Sequence, residues 1–170
     1  MSAPSGSARF RMGARNTRTN DEWLTPPEMI RALGEFDLDP ATPVQRPWPT
    51  AKRHLTAEDN GLVQPWEGRV WLNPPYGNLT FKFIARLAEH GDGIALIAAR
   101  TETRGFFAHV WPRANALLFL KGRVRFYHLT AKLGRKDCGS PSVLIAYGAR
   151  NVEALKTCGL DGALVCLPND

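Results

Sequence analysis

Between Arg69 and Ala99 the hydrophobic period of the chain changes twice, and this alternation constrains the fold more than any other feature. Arg69-Val70-Trp71-Leu72 is a short run of strand type. It stops at Asn73-Pro74-Pro75-Tyr76-Gly77, where two prolines forbid regular structure. Helical spacing follows in Phe81, Ile84, Leu87 and Ala88, closed by Gly91. Gly93 to Ala99 is then an apolar run of buried-strand length. Strands alternating with helices in this way form an α/β sheet.

The rest of the chain extends the pattern. Thr25 with Glu28 three residues later has the form of a capping box, with Pro26 at the first helical position. Met29, Ile30 and Leu33 supply the apolar face of that helix and Gly34 its end. A brief strand is expected at Phe36 to Leu38, and the prolines between Pro40 and Pro49 leave a loop. Phe106, Phe107 and Val110 predict a helix that opens near Thr101 or Thr103 and stops by Pro112. Ala116–Leu120, the alternating Gly122–Tyr127, Ser142–Tyr147 and Ala163–Leu167 read as strands, and Val152–Thr157 as a short helix. Strands joined without helices near the end give the sheet an antiparallel edge.

At 170 residues, 44% of them apolar, the chain has the size and composition of one packed domain. That domain is expected over 21–170. Residues 1–20, with Arg9, Arg11, Arg15 and Arg18 among Ser, Gly and Ala, are expected to form a flexible basic arm. The longest apolar runs fall far short of the about 20 residues of a membrane helix. The first residues lack the apolar core of a secretory leader, so a cytoplasmic location is expected. Cys138, Cys158 and Cys166 show no C-x-x-C pairing and are read as buried and inert. His54, His90, His109 and His128 show no ligand spacing, so no metal site is expected. Trp48, Trp66 and Trp111 are read as core or lid aromatics. Lys and Arg number 22 against 16 Asp and Glu, a formal charge of +6, which points toward a polyanionic partner.

In open α/β sheets ligands bind beyond the carboxyl ends of strands, which directs attention to Asp39 and to Asn73–Tyr76. The tetrapeptide suits chemistry on a planar amine, whose lone pair is delocalised and poorly nucleophilic. The Asn73 side-chain oxygen and the Pro74 carbonyl can accept the two amine hydrogens, localise the lone pair and stabilise the developing positive charge. Consecutive prolines stiffen the backbone and fix the direction of that carbonyl. Tyr76 offers a flat face for a base turned out of its stack. A methyl group could then pass directly from a sulfonium donor, with no metal and no covalent enzyme intermediate. The tetrapeptide alone leaves open adenine N6, cytosine N4, an RNA adenine or a protein glutamine amide as acceptor. A non-catalytic nucleic-acid-binding module on the same scaffold is the third reading.

A set of landmarks narrows this choice. Asp21-Glu22-Trp23 with Thr25-Pro26-Pro27, Leu38-Asp39-Pro40-Ala41, Trp71–Gly77, Ala99-Arg100-Thr101-Glu102-Thr103, Phe119–Arg123 and Ser140–Leu144 occur in that order. Over roughly residues 20 to 148 the chain resembles the phage-type DNA N6-adenine methyltransferases. The resemblance implies a single compact, class I S-adenosylmethionine-dependent, Rossmann-like sheet and methyl transfer from S-adenosylmethionine to adenine N6 in double-stranded DNA. It assigns Asn73, Pro74, Pro75 and Tyr76 the catalytic roles above. It places Trp23, Thr25, Pro26, Asp39, Pro40, Ala41, Asn73 and, more weakly, Asp59 at the cofactor. The resemblance further implies a phage or prophage setting in a bacterial host cell, with protection of DNA from restriction as one role it suggests, alongside regulation.

Arg100, Thr101 and Arg104 follow a strand end, and Lys121, Arg123, Arg125, Lys132, Arg135 and Lys136 concentrate charge nearby, so these are the candidate DNA contacts. Two departures from the family pattern stand out. Pro40-Ala41-Thr42-Pro43 replaces the glycine-rich loop of larger methyltransferases, and Glu102 stands where Asp is common. No separate target-recognition domain is seen, so relaxed sequence specificity is expected. The expected assembly is a monomer or weak homodimer, with no membrane partner.

Overall fold

The computed structural model of the chain describes residues 23–130, 132 and 139–168. The basic arm at 1–20, together with Arg135 and Lys136, lies outside them. The described residues hold the helices α1 (Pro27–Leu33), α2 (Thr80–His90), α3 (Arg104–His109) and α4 (Ala149–Thr157). Their strands are β1 (Leu38–Asp39), β2 (Arg53–His54), β3 (Val70–Leu72), β4 (Gly93–Ala98), β5 (Ala116–Leu120), β6 (Ser142–Tyr147) and β7 (Gly162–Cys166). All seven strands join one sheet in the order β2-β1-β3-β4-β6-β5-β7. The β2, β1, β3 and β4 strands run parallel, while β6 is antiparallel to β4 and to β5, and β7 to β5. The fold is thus α/β with a mixed sheet, and its antiparallel part is a three-strand flank.

Strand side chains alternate between two faces, so each face needs its own apolar cover. Val70, Leu72, Ala95, Ile97, Val143 and Ile145 point to one cluster, which Phe83, Ile84 and Leu87 of α2 and Phe106 of α3 complete. Trp71, Ile94, Leu96, Leu144 and Leu118 point to the other, which Met29, Ile30 and Leu33 of α1 and Leu155 of α4 complete. The α2 helix illustrates the causes. Its buried residues recur at helical spacing, and Gly91 adopts the left-handed conformation (φ 76°) from which its amide reaches the Leu87 carbonyl at 2.9 Å.

Several local expectations are revised. Helix α1 starts at Pro27 and not at Pro26, because the Pro26 carbonyl receives the first helical amides, from Met29 at 3.1 Å and Ile30 at 3.4 Å. Thr25 makes no side-chain cap there. The segment 122–127 is not a strand. Its alternation is real, since Val124 and Phe126 are buried, but its ladder is one antiparallel bridge between Leu24 and Tyr127. The two-residue β2, invisible as a pattern, extends the sheet beyond β1. Cys158 is only half-buried and Cys166 is exposed on β7, so neither is a core thiol, and Cys138 lies outside the described residues.

Candidate active site

The chain leaves β1 toward β2 on one side and β3 toward β4 on the other, so the order of strands reverses between β1 and β3. Crevices form at the carboxyl ends of strands at such a switch point. A cavity of about 250 Å³ lies there, walled by Asp39–Pro43 after β1 and by Asn73–Tyr76 after β3. Trp23, Thr25, Trp48 and Thr50 also border it, whereas Pro26, expected at the cofactor, does not.

Asp39 stands at its floor, 4% exposed. The Ala41 amide donates to Oδ1 at 3.1 Å, and the Thr50 hydroxyl donates to Oδ2. Burial pushes the Asp39 carboxyl up to about 6, against the opposing pull of the Thr50 and Ala41 donors and of Arg46. The site therefore holds a carboxylate that gains from a cationic neighbour.

Asn73 follows β3 directly and is half-buried. Its Nδ2 donates to Thr25 Oγ1 at 3.3 Å, so Thr25 orients the catalytic candidate instead of capping α1. With Nδ2 committed, Oδ1 is the amide's remaining acceptor. Pro74 is buried beside it, and the Pro75 carbonyl is tied down by the Thr80 hydroxyl at 2.8 Å. Tyr76 is 51% exposed and stands where the first cavity meets a second one of about 740 Å³. Trp23 is the other residue shared by both cavities.

The second cavity is walled by Phe81, Arg100, Thr103, Phe126 and His128. The Trp23 and His128 rings lie 4.5 Å apart, and Trp48 meets Tyr127 edge-on at 5.1 Å. Two hydrogen bonds, Leu24 N to Tyr127 O at 2.8 Å and Tyr127 N to Leu24 O at 3.0 Å, pin the segment before α1 to the segment after β5. Trp48 Nε1 donates to the Thr25 carbonyl at 3.1 Å and closes the same corner.

Of the candidate DNA contacts, Arg100 reaches the second cavity, while Thr101 and Arg104 lie beyond it around the start of α3. The β4 and β5 strands are each antiparallel to β6, so their carboxyl ends share one end of the sheet with those of β1 and β3. Arg100 and Lys121–Arg125 therefore emerge on the same side as Asn73. Arg123 and Arg125 are exposed around buried Val124, Lys132 is exposed, and Lys121 lies 3.9 Å from Asp161 across solvent. Asp59 is not brought to the cavity. Its carboxylate accepts from Thr56 N at 2.8 Å and Thr56 Oγ1 at 2.9 Å, and those bonds hold its pKa below the usual range. The sequence reading missed Thr50 and its turn, which carry no motif and sit beyond the proline-rich loop.

A family model described as DNA N-6-adenine-methyltransferase (Dam) matches residues 14–153, most of the chain. No curated protein and no solved structure matches it. Among the described residues, no helix is long and apolar enough to cross a membrane.

Proposed function

Because the chain belongs to the DNA N-6-adenine-methyltransferase (Dam) family and is a DNA N6-adenine methyltransferase, we propose that S-adenosylmethionine is its methyl donor and that the target adenine is turned out of the duplex to lie against Tyr76. We read the fold as a reduced class I methyltransferase sheet in one domain over 21–170, with 1–20 as a basic arm on the DNA. The order of the parallel strands and the cavity at their reversal support that reading.

The residues of the first cavity fit the donor. A buried carboxylate at the floor suits a cationic amino-acid end, and Trp23 and Trp48 offer flat walls to a purine. Gly61 packs so closely that a Cβ would meet the Pro40 carbonyl at 1.9 Å, so the wall closes only around a glycine. Trp71, which borders the cavity, has a buried Nε1 with no hydrogen-bond partner among the described residues, which leaves a donor there for a ligand or ordered water. When bound, S-adenosylmethionine supplies an electrophilic methyl group on a positively charged sulfur.

The chain's own part is to prepare the amine. Asn73 Oδ1 and the Pro74 carbonyl accept the N6 hydrogens, concentrate the lone pair on nitrogen and stabilise the charge that develops. Tyr76 stacks on the base, and the second cavity gives the turned-out nucleotide room beside Arg100. Arg104, Lys121, Arg123, Arg125 and Lys132, together with Arg135 and Lys136, contact phosphates. The observation that carries this reading is the Asn73 amide, anchored by Thr25 at 3.3 Å with its oxygen left to accept, at the junction of two cavities.

The test separates chemistry from binding. Asn73→Ala is expected to lower the single-turnover methylation rate by about 10²-fold or more, while calorimetry still finds S-adenosylmethionine bound within a few-fold of wild type. A variant that retains the rate would remove Asn73 from the chemical step.

A further inference from the structure

Behind Asp39 the chain turns back from Thr50, which borders the donor cavity, to His54 on β2. Asp39 is the register partner of His54 across the parallel β1–β2 pair, and Leu55 N donates to the Asp39 carbonyl at 2.8 Å. His54 is itself not part of the cavity wall, whereas Thr50 is. The amides of Thr50 and Ala51 both donate to His54 Nε2, at 3.2 and 3.3 Å. A ring nitrogen that accepts is unprotonated, so His54 is neutral and carries its proton on Nδ1. The turn held in this way presents the Thr50 hydroxyl to Asp39 Oδ2. Among the described residues, Thr50 and Ala41 are the two donors that bind this carboxylate.

We propose that His54 is a positioning residue of the donor site, which fixes the Thr50 turn and through it the orientation of the buried Asp39 carboxylate. The inference rests on the reading of Asp39 as a residue of the S-adenosylmethionine site. Its physical basis is the cost of a buried carboxylate with too few donors, which turns away or takes up a proton. Three residues of ordinary loop composition thereby set the charge at the cavity floor. Burial and the nearby Arg46 both lower the His54 pKa and keep the imidazole in its accepting form. Arg46 is also the charged group that favours ionised Asp39, so both members of the brace respond to the same cation.

The test uses the full chain and S-adenosylmethionine titrations across pH, with the thermal midpoint of each ligand-free variant as a check on folding. His54→Leu, which leaves the cavity wall intact, is expected to raise the dissociation constant about tenfold, while the methylation rate at saturating donor stays within about twofold, and Thr50→Val, which removes a hydroxyl of the cavity wall, is expected to raise the dissociation constant by a similar factor. Both variants should move the acid fall-off of affinity to higher pH, because Asp39 loses a donor that favours its charged form. His54→Gln, whose amide oxygen can replace Nε2, and Thr50→Ser should restore affinity and pH profile. The double variant should be no weaker than the weaker single, as expected of groups acting in series. Multiplicative losses, or a Thr50→Val defect that His54→Leu does not share, would overturn the proposal. If His54→Leu does not fold, the Gln variant decides, since failure of Gln to bind donor like wild type also contradicts an accepting role. Asp39→Asn separates the two levels. If it weakens binding while His54→Leu does not, only the brace fails, and if it binds normally the donor-site reading itself fails.

Discussion

The carboxylate of Asp39 sits where water cannot stabilise its charge, and this gives one residue opposing effects on stability and binding. Unfolded, it ionises near the ordinary aspartate value of 3.8, whereas folded it keeps its proton up to about 6. The protonated form therefore contributes stability at low pH that is lost as pH rises through about 6, which leaves a cost of up to about 3 kcal/mol in the ligand-free protein near neutrality. Asp39→Asn removes the charge and keeps an acceptor for Ala41. Thermal melts should find the ligand-free variant more stable than wild type near pH 7, with the difference closing toward pH 4. The same variant should bind S-adenosylmethionine at least about tenfold more weakly, because a paired charge is lost. A variant less stable than wild type near neutrality would contradict the burial argument. Asp39 was legible in the sequence because it follows the brief strand expected at Phe36–Leu38, at the carboxyl end where ligands bind in such sheets. Thr50 and His54 were not, since their roles come from a turn folding back across β1 and no local pattern encodes that.

At the scale of elements, short strands and loops carry the site while α2 carries the stability. Leu87 is fully buried against the β3 and β4 face, so Leu87→Ala should cost about 3 kcal/mol in urea unfolding. Gly61→Ala acts differently. Its added Cβ would lie 1.9 Å from the Pro40 carbonyl, so the wall must shift away from β1. Calorimetry should show donor affinity reduced by about tenfold, with DNA affinity unchanged, since a shift of the wall loses contacts worth about one hydrogen bond. Equal losses for donor and DNA would indicate a general disruption instead. The same scale shows what patterning can reveal. Runs such as Gly93–Ala98 and Ser142–Tyr147 were visible because both faces of a central strand are buried. Val124 and Phe126 alternate just as clearly, yet burial of alternate residues needs only an apolar wall and not a ladder. Arg53–His54 forms a ladder without an apolar signal, because it is a two-residue edge with one exposed position. Thr25-Pro26-Pro27-Glu28 has the letters of a capping box, but Pro26 itself occupies the cap position and the Thr25 hydroxyl turns to Asn73.

For the whole molecule, the mixed topology matters because it gathers function at one end. The antiparallel placement of β6 returns β5 in the same sense as β4, so the residues after β1, β3, β4 and β5 all face one side. The net charge of +6 thereby acquires a direction. DNA binding should weaken steeply with salt, and Arg100→Ala or Arg123→Ala should each reduce the slope of log affinity against log salt by about 1 if each contacts a phosphate. Unchanged slopes in both variants would place the DNA elsewhere. In the proposed mechanism this end of the sheet methylates adenine N6 in DNA with Asn73 holding the amine. The most direct test is the transfer of labelled methyl from S-adenosylmethionine to duplex DNA, followed by digestion and nucleoside analysis. Label in N6-methyladenine with wild type, and its near loss with Asn73→Ala although donor still binds, is the expected result. Label in N4-methylcytosine, or none in DNA while the donor is bound, would contradict this assignment of the site.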